Sequence, residues 1–162
     1  MYNTEIERKY LVCNDSYLHL ATAVHTISQG YLSSDPDCTI RVRRKDDKAF
    51  LTVKGKNTEG GISHFEWEKE ISLADASALL SLCRKGLIEK ERYLVPCGGL
   101  TIEVDVFHGD NEGLVMAEIE LPSEDYNLPP LPDFIHTEVT SDPCYYNSYL
   151  SSHPFSTWNQ NP

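Results

Sequence analysis

Ile102-Glu103-Val104-Asp105-Val106 alternates without a break: apolar, acidic, apolar, acidic, apolar. Successive side chains of an extended strand point to opposite faces, so this stretch presents a carboxylate face and an aliphatic face at once. Its surroundings read the same way. Ala117-Glu118-Ile119-Glu120-Leu121 repeats the pattern, and Ile40-Arg41-Val42-Arg43 does so with cations. Glu5/Glu7, Glu66/Glu68 and Lys90/Arg92 are further like-charged pairs two residues apart, while Lys9 and Lys54 continue the phase. A solvated sheet surface usually mixes signs, because whole strands of one sign repel their neighbours unless a ligand compensates. The pattern predicts a sheet curled around its charged face, with helices packed on its apolar outside and the charged groups gathered around one cavity.

The remaining organisation follows from where alternation stops. Strands are expected over residues 3–12, from 29 onward, and over 38–45, 48–55, 64–71, 88–95, 100–107 and 114–121. Helical spacing covers 17–23 and 73–85, with Gly86 as a stop for the second, and a short helix falls near 145–151. Asp35-Pro36-Asp37 and Cys97-Gly98-Gly99 read as turns, 55–63 as a mobile loop and 122–132 as a proline-rich crossing. The fold class is α+β, mainly β, in a single domain over residues 1–151 followed by a flexible tail over 152–162.

Composition narrows the function classes. A net charge of -11 would repel a polyanion, which excludes a broad face for duplex nucleic acid. There is no run of about 18 apolar residues and no basic-then-apolar N-terminus, so no membrane is expected and the protein is placed in the cytoplasm. Five cysteines without a Cys-x-x-Cys pair argue against disulfides and structural zinc; free, mostly buried thiols are expected. The six histidines have no metal-binding spacing and read as surface or core residues. Of the 14 basic residues, six (Lys9, Arg41, Arg43, Lys54, Lys90 and Arg92) lie in phase, where they can converge on a small, highly charged phosphate compound.

Taken in order, these segments resemble the CYTH domain, the triphosphate tunnel metalloenzyme superfamily. Glu5-Ile6-Glu7-Arg8-Lys9-Tyr10 looks like its N-terminal Glu-x-Glu-x-Lys signature. Ile40-Arg41-Val42-Arg43, Leu51-Thr52-Val53-Lys54, Phe65-Glu66-Trp67-Glu68, Lys90-Glu91-Arg92, Glu103-Val104-Asp105 and Glu118-Ile119-Glu120 follow in the family's order. Over residues 3–150 the resemblance implies an eight-stranded antiparallel closed barrel whose lumen binds a triphosphate together with divalent metal ions.

Charge supports the metal on separate grounds. Eight in-phase carboxylates against six in-phase cations leave a balance of -2, to which a triphosphate adds more negative charge. Repulsion of about 4 kcal/mol per pair at about 4 Å and an effective dielectric near 20 demands counter-ions. Mg2+ or Mn2+, two ions by the resemblance, suits carboxylate and phosphate oxygens. Glu5, Glu7, Glu118 and Glu120 are the expected metal ligands, with Glu103 and Asp105 as candidates for a second ion or its hydration sphere. Arg41, Arg43, Lys54, Lys90 and Arg92 are expected to grip phosphate oxygens. Lys9 is either a further phosphate contact or, with a pKa depressed by neighbouring cations, a catalytic group near the attacking water. Tyr31 resembles an aromatic that accompanies that lysine in some relatives and is a catalytic candidate on that ground, behind the simpler reading as a strand tyrosine with a satisfied hydroxyl. Glu66 and Glu68 either touch metal or organise the basic residues by ion pairing. Cys144 stands where the family commonly has a basic residue.

The expected activity is hydrolysis of the terminal phosphate of a triphosphate, inorganic tripolyphosphate first. Class IV adenylyl cyclase, thiamine triphosphatase and a non-catalytic polyphosphate- or nucleotide-binding module are the rivals. An apolar exterior incompletely covered by few helices suggests a homodimer.

Overall fold

The alternating segments become nine strands in a computed structural model that describes residues 3–60, 62–83 and 86–158. They are β1 (Asn3–Val12), β2 (Ala23–Asp35), β3 (Cys38–Lys45), β4 (Lys48–Asn57), β5 (Ser63–Ile71), β6 (Ile88–Cys97), β7 (Leu100–Phe107), β8 (Val115–Glu120) and β9 (Ile135–Glu138). Three short helices accompany them: α1 (Tyr17–Leu20), α2 (Leu73–Leu80) and α3 (Asn147–Leu150). The hydrogen-bonded order is β5-β4-β3-β2-β6-β7-β8-β1-β9, and an added β5–β1 pairing closes the first eight into an antiparallel barrel. β5 and β9 share one edge of β1, pairing with its first and last residues respectively. Closure removes the long free edges that an open sheet would expose.

Turn chemistry fits the register. Cys97 pairs with Leu100, leaving Gly98 and Gly99 as a two-residue hairpin loop in which both have positive φ, 53° and 82°. That conformation suits residues without a Cβ. In the corresponding loop between β3 and β4, Asp46 adopts φ 52°. Its carboxylate accepts from the Thr26 backbone N–H at 2.9 Å and lies 2.6 Å from His25 Nδ1, two contacts that tie the loop to β2.

Each apolar face has its own cover. Val95, Ile102, Val104, Ala117 and Ile119 pack beneath Tyr17 of α1 and Phe134, with Tyr126, Leu128 and Leu131 of the proline-rich crossing closing over them. On the opposite side, Ala76 of α2 packs against Val42 and Ala49. A third cluster lies on the lumen phase itself: Tyr31, Ile88, Phe107, Met116 and Leu150 fill one end of the barrel, with Leu114 beside them. The lumen is therefore charged along its middle and apolar at one end.

Several expectations are corrected. α1 stops at Leu20 because β2 starts at Ala23, whose pairing with Leu94 of β6 claims the backbone. α2 ends at Leu80 rather than near residue 85, and Arg84 and Lys85 lie outside the described residues. Strand β4 extends to Asn57, so the loop expected from residue 55 begins later; Gly61 lies outside the described residues. The segment read as a tail from residue 152 docks instead: Phe155 and Trp158 pack on the apolar plug, and Phe155 N–H donates to Asn111 at 2.8 Å. Residues 159–162 lie outside the described residues. All five cysteines are free, but none is buried; Cys13 and Cys38 are exposed. Among the described residues, no helix is long and apolar enough to cross a membrane.

Candidate active site

Strand order sorts the charges. β7, β8, β1 and β5 are consecutive around the barrel and carry Glu103, Asp105, Glu118, Glu120, Glu5, Glu7, Glu66 and Glu68. β4, β3, β2 and β6 complete the circle and carry Lys54, Arg41, Arg43, Lys90 and Arg92. One half of the wall is acidic and the other basic, around a cavity of about 720 Å³. Every residue singled out in the sequence lines that cavity except Asp105 and Cys144.

The basic half is held by carboxylates that reach it from acidic strands. Asp105 is fully buried; its Oδ1 accepts from Arg92 Nε at 2.7 Å, and its Oδ2 from Arg92 Nη2 at 2.8 Å and Lys90 Nζ at 2.6 Å. Burial pushes the carboxyl pKa up, but Arg92 and Lys90 win and keep it below the ordinary aspartate value. The expected metal role of Asp105 is therefore replaced by that of an anchor beneath two cations. Burial brings Lys90 down to about 8 despite Asp105, with Arg92 pushing the same way. Burial and the adjacent Arg41 likewise lower Arg43 to about 10. Excess positive charge with this little solvent is a ready receptor for an anion. Glu68 reaches from β5 to Arg43 Nη2 at 3.3 Å and Arg41 Nη2 at 3.6 Å, and accepts from Thr52 Oγ1 at 2.7 Å. Of its two readings, ion pairing is the one the geometry contains.

Opposite, the carboxylates crowd one another. Register places Glu7 against Glu120 and Glu103 against Glu118, like charges directly across a ladder. Burial and Glu118 raise the Glu7 carboxyl, and burial and Glu5 raise that of Glu120. Lys9 is the exception in this wall: its Nζ lies 3.0 Å from Glu118 and 3.2 Å from Glu7. Although burial opposes it, this pair of carboxylates raises the Lys9 pKa above the ordinary lysine value. The depressed pKa expected from crowding by cations is thus reversed, because the neighbours are anions.

Five further residues belong to the site: His64, Tyr146 and Asn147 line the cavity, and the buried Gln29 and Thr52 bond to the lining residues Tyr31 and Glu68. His64 continues the phase of Glu66 and Glu68, and its Nε2 lies 2.6 Å from Glu5 and 3.7 Å from Glu66. Among the described residues, Glu5, His64 and Glu66 bring one ligand atom each within 4.8 Å of one another. Lys54 Nζ shares the same carboxylates, 2.9 Å from Glu5 and 3.4 Å from Glu66. Gln29 is in phase with Tyr31 and donates from Nε2 to its hydroxyl at 3.0 Å. Thr52 is in phase with Lys54. Tyr146 and Asn147 have no such signal, since they enter from the irregular C-terminal segment. Asn147 Oδ1 accepts from Lys90 at 2.9 Å, and the Tyr146 ring lies 5.8 Å from Lys9 Nζ.

The ordered charged pairs, the closed barrel and the divided lumen coincide with a match of the CYTH domain profile to residues 3–131. The chain belongs to the CYTH domain family. Within that family it is similar to an inorganic triphosphatase of Acetivibrio thermocellus, 48% identical over 157 residues that cover 96% of this chain and 98% of the relative. An inorganic triphosphatase of Nitrosomonas europaea is 36% identical over 154 residues, covering 91% and 97%. The crystal structure of the inorganic triphosphatase NE1496 aligns with TM-score 0.62 and 30% identity over 91% of this chain and 93% of that one. The CYTH match ends at residue 131, whereas α3 and its flanks, which contribute to the cavity wall, lie beyond it.

Proposed function

We propose that this chain is a metal-dependent triphosphatase that removes the terminal phosphate of inorganic tripolyphosphate in the barrel lumen. The observation that carries the reading is the division of one cavity into a basic and an acidic half. A linear polyanion lies against Lys54, Arg41, Arg43, Lys90 and Arg92, and the two relatives named inorganic triphosphatases support the choice of substrate. The functional unit takes in α3 and the docked segment to Trp158.

The acidic half fits divalent ions. Glu7 and Glu120, opposed in register and both raised in pKa, are hard oxygen donors that lack enough positive charge, and Glu5 and Glu118 complete the set. Bound there, Mg2+ or Mn2+ supplies counter-charge for the phosphates and polarises a water. Arg41, Arg43, Lys54, Lys90 and Arg92 bind and orient the phosphate oxygens, and their charge meets the negative charge that shifts to the departing diphosphate. Lys9, gripped by Glu7 and Glu118, stays an ammonium: it spaces the two carboxylates and donates to phosphate rather than accepting a proton from water. The enclosing wall limits stray water around the ligand.

The test is an assay of purified protein with Mg2+ or Mn2+ and, in turn, tripolyphosphate, ATP and thiamine triphosphate, following orthophosphate and cyclic AMP separately. Orthophosphate from tripolyphosphate at the highest kcat/KM is the expected result. Cyclic AMP as main product would establish the cyclase instead, and tight binding with no turnover a sensor.

A further inference from the structure

Lys90 and Gln29 belong to different strands of the basic half, yet one side-chain oxygen accepts from both. Asn147 Oδ1 lies 2.9 Å from Lys90 Nζ and 3.3 Å from Gln29 Nε2. An ammonium only donates, so the oxygen of the Asn147 amide, and not its nitrogen, must face Lys90. That choice propagates. Gln29 is fully buried and its Oε1 has no partner among the described residues, so its amide is oriented by what its nitrogen reaches. The nitrogen reaches Asn147 Oδ1 and Tyr31 Oη. Turning the Gln29 amide over would set two carbonyl oxygens against each other. Tyr31 Oη is thereby an acceptor toward Gln29, and its own proton is left for the cavity that Tyr31 lines. A similar count holds for Lys90: Asp105 and Asn147 take two of its three N–H donors, leaving one for a ligand.

We propose that Asn147 is a positioning residue: its side-chain oxygen sets the Lys90 ammonium and, by way of Gln29, presents the Tyr31 hydroxyl as a donor to a phosphate oxygen of the bound triphosphate. The proposal rests on the triphosphatase reading and extends it to the C-terminal helix. Tyr146, which precedes that helix and lines the same cavity, ties it to β4, its hydroxyl accepting from Asn57 Nδ2 at 2.9 Å. A helix that lies against the lumen thus aims donors carried by two strands of the wall.

Asn147→Leu keeps the shape and removes the oxygen; Asn147→Asp keeps an acceptor. For tripolyphosphate hydrolysis, Asn147→Leu is expected to raise KM by about tenfold, the order set by a lost hydrogen bond to a charged group, and Asn147→Asp to recover most of kcat. Tyr31→Phe alone should also weaken binding, but should cost little more when added to Asn147→Leu, since the hydroxyl is then no longer aimed. A readout independent of turnover is the slowly exchanging ammonium signal of Lys90 in proton–nitrogen NMR, assigned with Lys90→Arg. It should be lost in Asn147→Leu and kept in Asn147→Asp. Wild-type kinetics in Asn147→Leu, additive losses in the double variant, or retention of the Lys90 signal each overturn the proposal. If Asn147→Leu does not fold, Asn147→Ser, which withdraws the oxygen without adding bulk, is measured in its place. If the wild type releases no orthophosphate, the triphosphatase reading falls, and the ammonium signal still decides whether Asn147 sets Lys90.

Discussion

Replacing Asp105 by asparagine removes the charge beneath Arg92 and Lys90, whose nitrogens reach it over 2.6 to 2.8 Å. Breaking such a buried pair is expected to cost about 3 kcal/mol in urea unfolding and to raise KM for tripolyphosphate as both cations lose their aim. Glu103 also meets Arg92, at 2.7 Å, but its side chain is 38% exposed. Glu103→Gln should cost less than about 1 kcal/mol, and equal losses for the two variants would contradict the anchoring role of Asp105. Lys90 supplies a pH test. With its pKa near 8, the free enzyme loses this ammonium above that pH, so KM should climb on the alkaline side. Lys90→Arg should flatten the climb, and an unchanged profile would remove Lys90 from phosphate binding. These assignments explain what the sequence could and could not show. Phase places Asp105 and Glu118 on the lumen face, but only cross-strand register sets Asp105 opposite Arg92 and Glu118 opposite Lys9. One strand read alone does not contain that information. His64 shares the phase of Glu66, which marks it as a lumen residue, whereas its spacing from the other histidines carries no such signal.

Strands were more legible than helices because they carry their period in side chains that must face either lumen or cover. The alternation over residues 100–107 coincides with the bounds β7 adopts. Helix lengths depend on what lies beneath: α2 covers little more than Val42 and Ala49 and stops once Leu79 and Leu80 have packed. Its start is local in origin. Ser72 accepts from the Asp75 backbone N–H at 3.0 Å, satisfying one of the free donors of the first turn. Ser72→Ala should lower stability by about 1 kcal/mol in denaturant unfolding and leave kcat/KM for tripolyphosphate untouched. A fall in activity at unchanged stability would mean that α2 bears on the lumen, which its packing does not predict. The C-terminal segment was the least legible element, since its contribution comes from side chains placed by docking rather than by any period.

For the whole molecule, two opposed half-walls make stability depend on what fills the space between them. Glu7 and Glu120 face each other without sufficient counter-charge, so a divalent cation that binds only the folded barrel should raise its melting temperature by mass action. At a hundred times the dissociation constant the gain is about 2.7 kcal/mol. Melting curves with chelator, Mg2+ and Mn2+ measure it. Glu120→Gln should shrink the shift without lowering the chelated baseline, since its carboxylate is already strained by its neighbours. A wild type that melts alike under all three conditions would argue against metal in the acidic half.

The circle of strands also has a seam. β1 meets β5 only from Asn3↔Glu66 to Ile6↔Ser63, the shortest ladder of the eight that close the barrel. Glu5 stands on one bank of it, His64 and Glu66 on the other, and Lys54 already bridges them from β4. A cation bound by Glu5, His64 and Glu66 would act as a rivet across that seam. Amide hydrogens along residues 4–6 and 63–66 should exchange sooner than those between β6 and β7 and slow when Mn2+ is added, so that loading the enzyme and locking its hoop become the same event.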